Sequence, residues 1–448
     1  MSGGNAHIGN VAEYNRQFFP AQFRSDHLRS WDIEGHHYAG LALFYSADPG
    51  PVFLPLRFDR AWLDMQRSYL HWPHVSLHWT AGEPGLSDVL AADPAAVATL
   101  RAALDAPGGG HLLAWGETAG TERLRAAVSG RPTTPGGGPA QERGQAAFES
   151  KREAHRRFSE CARGRPEILI TRQEVYGDAQ TAAAALAARA TAGAGPVMLK
   201  SDFGVGGFGT RLVRPDEIPT QDDVWALLRA LTDDDAIFGV VPLLVEEYIE
   251  PHPLHCQLTY DGEITDDGVI DRGTALMHVT GTHYRGATTG PGALPEPLRR
   301  PVTDFGRTVG AMLAAEGYRG WFDVDFVRAR DGRLAPTEIN ARRTGPCAAM
   351  AIAANLGASA GRPVVVRTED TLPLPRAIPE ERLYARFETV ARVLADQGVA
   401  FVPTLVTASS EKVPYAGFAL AGASVAEVDT AMRHVVHLMS GLAEEGEA

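Results

Sequence analysis

Between Asp323 and Arg342, carboxylates, an amide and an arginine recur at every second position. Asp323 and Asp325 alternate with Val324, Phe326 and Val327, and Glu338 and Asn340 flank Ile339 before Arg342. Strand side chains change face with period two, so Asp323 shares a face with Asp325, and Glu338 with Asn340 and Arg342. Arg330, Asp331 and Gly332 between them form a turn signal, which predicts a hairpin. If the apolar residues pack inward, both polar rows line one cleft. Asp325, Glu338 and Asn340 are then oxygen donors suited to Mg2+, which keeps some water and takes phosphate oxygens for its other positions. Arg342 adds a planar positive charge where a phosphate or carboxylate would sit. The same pattern also describes the solvated edge of an acidic hairpin, so the rest of the chain must decide.

A second chemical segment follows a strand predicted over 196–200. Gly204, Gly206 and Gly209 spell the glycine string of dinucleotide-binding folds, but that fingerprint needs a helix to begin at the glycines. Here 210–213 alternates like a strand, and Pro215 comes too late to open the helix. The glycines therefore join two strands. Such a loop can lay backbone amides over phosphates, with Lys200 as a point charge beside it, or it can be a flexible hairpin with a surface lysine. Downstream, the apolar strand 243–249 runs into Glu246, Glu247, Tyr248 and Ile249, which suits either an adenine edge or a core strand leaving the protein. Lysine is scarce: of 42 basic residues only Lys151, Lys200 and Lys412 are lysines, leaving 39 arginines.

These residues need a scaffold, and 448 residues suffice for two to four units. Residues 1–145 read as an α/β domain, with strands at 52–56, 75–79 and 112–115 and helices at 91–104 and 121–128. Pro- and Gly-rich 131–139 is a linker. A helix over 141–162 carries Lys151, a strand is predicted at 167–171, and Asp178 caps a helix over 179–192. Strands at 256–260 and 268–278, a helix at 302–316 and the acidic hairpin follow. His278 to Arg285 reads as a strand before a Gly-rich loop, where Arg285 could meet a substrate carboxylate or solvent. After a proline-rich spacer, residues 369–448 form a compact C-terminal α+β unit, with helices at 380–397 and 425–442 and strands at 400–407 and 415–421.

Bulk properties exclude some classes. A net charge of −13 and a pI near 5.6 argue against a nucleic-acid or acidic-membrane surface. Three widely spaced cysteines fit a reducing compartment, and neither a signal pattern nor a long apolar run is present. The expectation is a cytoplasmic protein with no membrane partner and no nucleic-acid partner, and homodimer formation is compatible with it.

Taken in order, Lys151, Lys200 with its glycine loop, the Glu246 to Ile249 segment, and Asp325 with Glu338, Asn340 and Arg342 resemble the ATP-grasp superfamily over about 148–368. The resemblance implies an ATP-grasp fold, in which two α+β lobes clamp ATP, preceded by an N-terminal α/β domain. Residues 146–255 would form the small lobe and 256–368 the large one. Lys151 and Lys200 resemble the nucleotide-contacting lysines, and Gly206, Gly207 and Phe208 the phosphate flap. Glu246, Glu247, Tyr248 and Ile249 resemble the adenine hinge; Asp325, Glu338 and Asn340 the Mg2+ ligands; and Arg342 the arginine that steadies an acyl phosphate. Two of the three lysines fall on family positions. Two departures stand out: His252, Pro253 and His255 occupy the neighbourhood of the usual ribose-binding acid, and Asp323 stands where some dipeptide-forming relatives carry a basic residue. The flanking segments 320–326 and 402–406 resemble superfamily peptide ligases of antibiotic biosynthesis. The implied activity is ATP-dependent joining of a small-molecule carboxylate, such as a modified amino acid, to a peptide amine. A small-molecule kinase and a non-catalytic nucleotide sensor are the alternatives.

Overall fold

Four short parallel strands, β1 (Asn5–Ile8), β2 (Pro49–Leu54), β3 (Ser76–Trp79) and β4 (Leu112–Ala114), form a sheet in the order β3-β2-β1-β4. The computed structural model describes residues 4–19, 25–81, 85–106, 110–130, 147–204 and 207–440. The predicted linker 131–139 lies outside them, as does the start of the helix expected from 141. Parallel strands need crossover connections, which place helices over the sheet faces. One predicted crossover helix, 91–104, is instead two, Leu86–Ala92 and Pro94–Leu104. Pro94 cannot continue a helix but starts one well, and Asp93 caps the second by accepting from the Ala95 amide at 2.8 Å. Beyond the carboxyl ends of β1 and β4, the Asn10 amide donates to Gly116 O and accepts from Trp115 N, both at 2.9 Å. In open parallel sheets this end is where ligands are received.

The second sheet is antiparallel: β5 (Gln173–Tyr176), β6 (Val197–Ser201), β7 (Thr210–Val213) and β8 (Leu243–Glu247), ordered β5-β8-β6-β7. β6 and β7 are joined by the glycine loop, as their alternation predicts. Helices Ala179–Thr191 and Gln221–Asp234 cover this sheet through Leu186, Val224 and Leu228, packed on Leu199 and Leu243. Asp178 caps the first of them, accepting from Thr181 N at 2.7 Å. The strand expected at 167–171 is only an isolated bridge, Ile168 to Leu334, which tethers this lobe to the next sheet.

Eight strands form the largest sheet: β9 (Gln257–Thr265), β10 (Gly268–Thr280), β11 (His283–Thr289), β12 (Gly320–Arg328), β13 (Leu334–Asn340), β14 (Val365–Pro373), β15 (Ala400–Pro403) and β16 (Tyr415–Gly422). Their order is β13-β12-β9-β10-β11-β14-β16-β15. β9 outruns its predicted end because Asp261-Gly262, though turn-like in composition, lies mid-strand; the reversal comes at Gly268, with φ of 121°. The C-terminal residues are not a separate unit. β14, β16 and β15 complete the large sheet, since a hairpin with two helices buries too little apolar surface to stand alone. Trp62 and Phe58 of the N-terminal region share one core with Phe387, Phe401 and Phe418, and Gln66 Nε2 donates to Pro403 O at 2.7 Å. Among the described residues no helix is long and apolar enough to cross a membrane.

The helix Glu296–Ala315 lies directly on β9 and β12, because Gly306 and Gly310 face Tyr260 and Phe322. A methyl at Gly306 would run into the Tyr260 ring. Alanine is the better helix former by roughly 1 kcal/mol. Overpacking nevertheless wins here, and Gly306→Ala is expected to cost a net ~1–3 kcal/mol, read as a lower urea midpoint. An unchanged or raised midpoint would refute this packing.

Candidate active site

Register places the acidic row as the alternation requires. Asp323 pairs across the hairpin with Asn340, and Asp325 with Glu338. Asn340 Nδ2 donates to Asp323 Oδ1 at 2.7 Å, and Asp323 is buried while Asp325 and Glu338 are half-buried.

Lys151 reaches this row from another element. Ser150 caps the helix Lys151–Cys161 and donates from Oγ to Asp202 Oδ1 at 2.7 Å, while Lys151 N donates to Asp202 O at 2.9 Å. Asp202, at the start of the glycine loop, thereby fixes the helix end. Lys151 Nζ then lies 3.3 Å from Glu338 Oε2 and 3.5 Å from Gly204 O. Lys200, on β6 beside β8, meets Glu246 Oε2 at 2.5 Å, and Gln173 Nε2 donates to Glu246 Oε1 at 2.6 Å. Of the four residues expected at an adenine hinge, Glu246 thus turns inward as the partner of Lys200. Glu247 ends the strand exposed, and Tyr248 and Ile249 follow half-buried. Gly206 lies outside the described residues. Gly207, with φ of 98°, abuts the Thr282 carbonyl, and Phe208 stands between Trp31 at 4.7 Å and His283 at 5.5 Å. The glycine loop therefore rests on the tip of the β10–β11 hairpin.

Arg342 is buried at a junction of four chain segments. Its Nη2 donates to Asn340 Oδ1 at 2.7 Å and its Nη1 to Arg343 O at 3.1 Å; its Nε is 3.6 Å from Glu149 Oε2, and its guanidinium lies 5.5 Å from the Trp115 ring centre. Glu149 Oε1 accepts from Tyr14 Oη at 2.9 Å and Ala341 N at 2.6 Å. Arg285 is apart from this cluster. It lies within β11 rather than in a loop, and its guanidinium is 3.0 Å from Glu369 and also donates to Thr371 O.

Charge decides what else the cleft accepts. Six carboxylates (Glu149, Glu246, Asp261, Asp323, Asp325, Glu338) face three cations (Lys151, Lys200, Arg342). Burial pushes Asp323 up to about 7. Asp325 is driven well above the carboxylate range by burial and then by the charges of Asp323 and Glu338. Burial and Asp323 do the same to Asp261. Glu338 is held below its ordinary value, because Lys151, Lys200 and Arg342 together outweigh the burial that opposes them. Among the described residues no three His, Cys, Asp or Glu side chains close a metal site by themselves. Mg2+ does not require one, for it commonly uses one or two protein carboxylates and fills its shell with water and phosphate. Asp325 Oδ1 is buried with no hydrogen-bond partner, and the carboxylates are in excess, so the donor set fits a divalent cation at Asp325 and Glu338. The third expected donor, Asn340 Oδ1, is engaged by Arg342.

Glu149, Asp202 and Asp261 escape a sequence reading. Glu149 precedes a helix cap without any motif of its own, and Asp261 sits in a turn-like dipeptide. The sequence signal for Asp202 was its place two residues after Lys200.

No family model matches the sequence. Eighty residues, 18% of the chain, are 39% identical to L-propargylglycine–L-glutamate ligase of Streptantibioticus cattleyicolor, and the match spans 17% of that ligase. Carboxyaminoimidazole ribonucleotide synthase of Aspergillus clavatus, complexed with ATP, superposes with a TM-score of 0.54 at 14% identity, covering 98% of both chains. The biotin carboxylase domain of Hydrogenobacter thermophilus 2-oxoglutarate carboxylase, complexed with MgADP, gives 0.53 at 12% identity, over 97% of this chain and 89% of that one. Biotin carboxylase of Campylobacter jejuni gives 0.52 at 12% identity, over 99% and 95%. At these identities the likeness is one of fold, and the fold is ATP-grasp.

The Lys200–Glu246 pair is nearly dry, with side-chain exposures of 7% and 9%. Removing one partner strands a buried charge, so Lys200→Met is expected to cost about 3–5 kcal/mol, and Lys200→Met with Glu246→Leu to recover most of it. A double-mutant cycle from urea unfolding reads both. Additive losses would show that the pair does not act as one.

Proposed function

We propose that this chain is an ATP-dependent ligase that activates a carboxylate as an acyl phosphate and joins it to the amine of an amino acid or peptide, in the assembly of a peptide natural product. The convergence of Lys151, Lys200 and Arg342 around the Asp325–Glu338 pair, beside the glycine loop, carries this reading. The fold is shared with proteins whose structures hold ATP or MgADP. The local match to a ligase named for two amino acids favours amide formation, as does the sequence resemblance to the peptide ligase that builds the antibiotic peptide pheganomycin.

A carboxylate is a poor acyl donor because its leaving group would be an oxide. In the proposed reaction a substrate carboxylate oxygen bonds to the γ-phosphorus of ATP while the bond to the ADP oxygen breaks. The amine nitrogen then bonds to the acyl carbon, phosphate departs with the C–O electron pair, and the amine loses a proton. The phosphoryl group spreads negative charge over its oxygens during transfer, so catalysis is mostly positioning and neutralisation. Lys151 and Lys200 would bind phosphate oxygens, and Arg342, steadied by Glu149, would hold the activated carboxylate in line. A bound Mg2+, held by Asp325 and Glu338, would neutralise phosphate charge.

Incubation with ATP, Mg2+ and paired libraries of acids and amines should release ADP and phosphate only when both substrates are present, with product masses equal to the amide. A stable phosphorylated product without an amine would identify a kinase instead. Glu338→Ala is expected to lower ATP turnover at least 100-fold, with folding checked by thermal melting, and normal turnover in a folded variant would defeat the metal assignment.

A further inference from the structure

The polar face of the large sheet continues beyond the Asp325–Glu338 pair to Asp370 on β14, which is 2% exposed. One Asp370 oxygen, Oδ2, accepts from Tyr38 Oη at 2.7 Å. Among the described residues no lysine, arginine or histidine forms an ion pair with it. Tyr284 lies within electrostatic reach of both Asp370 and Asp325, and Tyr38 within reach of both Asp370 and Arg342, so the two tyrosines link this carboxylate to the site above.

Polar atoms here lack partners at good hydrogen-bond geometry among the described residues. The Tyr284 hydroxyl is shielded from water, and its polar neighbour, Thr368, stands off ideal hydrogen-bond geometry. Its ring leans on Gly345, where an added methyl would come within 2.5 Å of the hydroxyl. The hydroxyl of Thr344, the residue before Gly345, is directed to Asp261 and Asp323 instead, and the indole N–H of buried Trp115, whose ring stands edge-on to Tyr38 at 5.6 Å, has no partner among the described residues. Folded proteins satisfy nearly all buried polar atoms, and each exception costs about 1–3 kcal/mol in general, so a local group of them calls for an occupant.

The chemistry of that occupant follows from the lining. An unpaired carboxylate with two tyrosine hydroxyls offers acceptors for the three N–H donors of an alkylammonium, and aromatic faces favour a cation. The Trp115 N–H complements a carbonyl oxygen. We infer that Asp370, Tyr38 and Tyr284 form a subsite for the ammonium group of an amino-acid or peptide substrate. Burial pushes the Asp370 carboxyl up to about 7 although Thr368 and the more distant charge of Arg285, which is paired with Glu369, oppose it, and an ammonium would supply the direct ion pair that Asp370 lacks. This deepens the ligase reading and rests on it for placing the substrate in this cleft.

Calorimetric titration of the full chain, without ATP, tests the subsite independently of any turnover. The probes are L-alaninamide, which has an ammonium and a carbonyl but no carboxylate, and N-acetyl-L-alanine, which has a carboxylate but no ammonium. The wild type should bind L-alaninamide. Asp370→Asn should weaken that binding at least tenfold and Tyr284→Phe severalfold, with no change toward N-acetyl-L-alanine. Tyr284→Phe removes only a hydroxyl and keeps the ring, so it remains informative if Asp370→Asn does not fold. Failure of the wild type to bind L-alaninamide, or undiminished binding by folded variants, would overturn the subsite. A chain that binds L-alaninamide yet forms no amide would retain the subsite and lose the ligase reading.

Discussion

Carboxylates on the inner face of the β12–β13 hairpin are costly to bury, and the arrangement around them is a response to that cost. A buried charge is tolerated only when it is paired or hydrogen-bonded, and breaking such a pair costs several times what a surface ion pair contributes. Glu338 is paired with Lys151 and stays ionised; Asp323 is bonded to Asn340; Asp325 has one oxygen with no partner at all. The compensating cations come from different parts of the chain. Lys151 arrives on a helix, Lys200 on a strand of the second sheet, and Arg342 just past β13 itself.

Holding those cations in register requires the three sheets to be fastened together. Glu149 does this at one point, bonding at once to Tyr14, the Ala341 amide and the vicinity of Arg342. Arg343 does it at another: its amide donates to Trp115 O at 2.8 Å and its Nη1 to Ala114 O at 3.0 Å, beyond the end of β4. The glycine loop is gripped at both ends by rings from the N-terminal region. Phe203 stacks on Phe18 at 5.4 Å, and Phe208 packs at a tilt against Trp31. The glycine loop, cationic side chains and the carboxyl ends of the parallel strands therefore meet at one cleft. That arrangement explains how an N-terminal domain without a phosphate fingerprint can still help to build the site.

Much of the hairpin was legible because period-two alternation and a glycine turn are local signals. The glycine loop could be assigned to a strand connection, since Pro215 and the alternation of 210–213 exclude a helix. The segment proposed as an adenine hinge was legible as a strand, yet the inward turn of Glu246 toward Lys200 was not. The strand predicted at 167–171 failed because apolar composition cannot say whether a segment has neighbours along its whole length. The C-terminal residues were misjudged as a unit for a related reason: their strands join the large sheet through β14, which pairs with β11 about eighty residues earlier in sequence, and pairing partners at that distance leave no local mark.

The sequence by itself determined the donor types, their faces and the order in which they occur, because these follow from side-chain chemistry and backbone periodicity. Only the tertiary structure decided which charges neutralise which. Lys151 with Glu338, Lys200 with Glu246, and Glu149 with Arg342 are contacts between residues 46 to 193 positions apart. Only the tertiary structure, too, showed Asp370 buried with no ion pair among the described residues. The physical reason is that burial and charge compensation are properties of the packed chain, and a residue's type states what it needs without stating what will supply it.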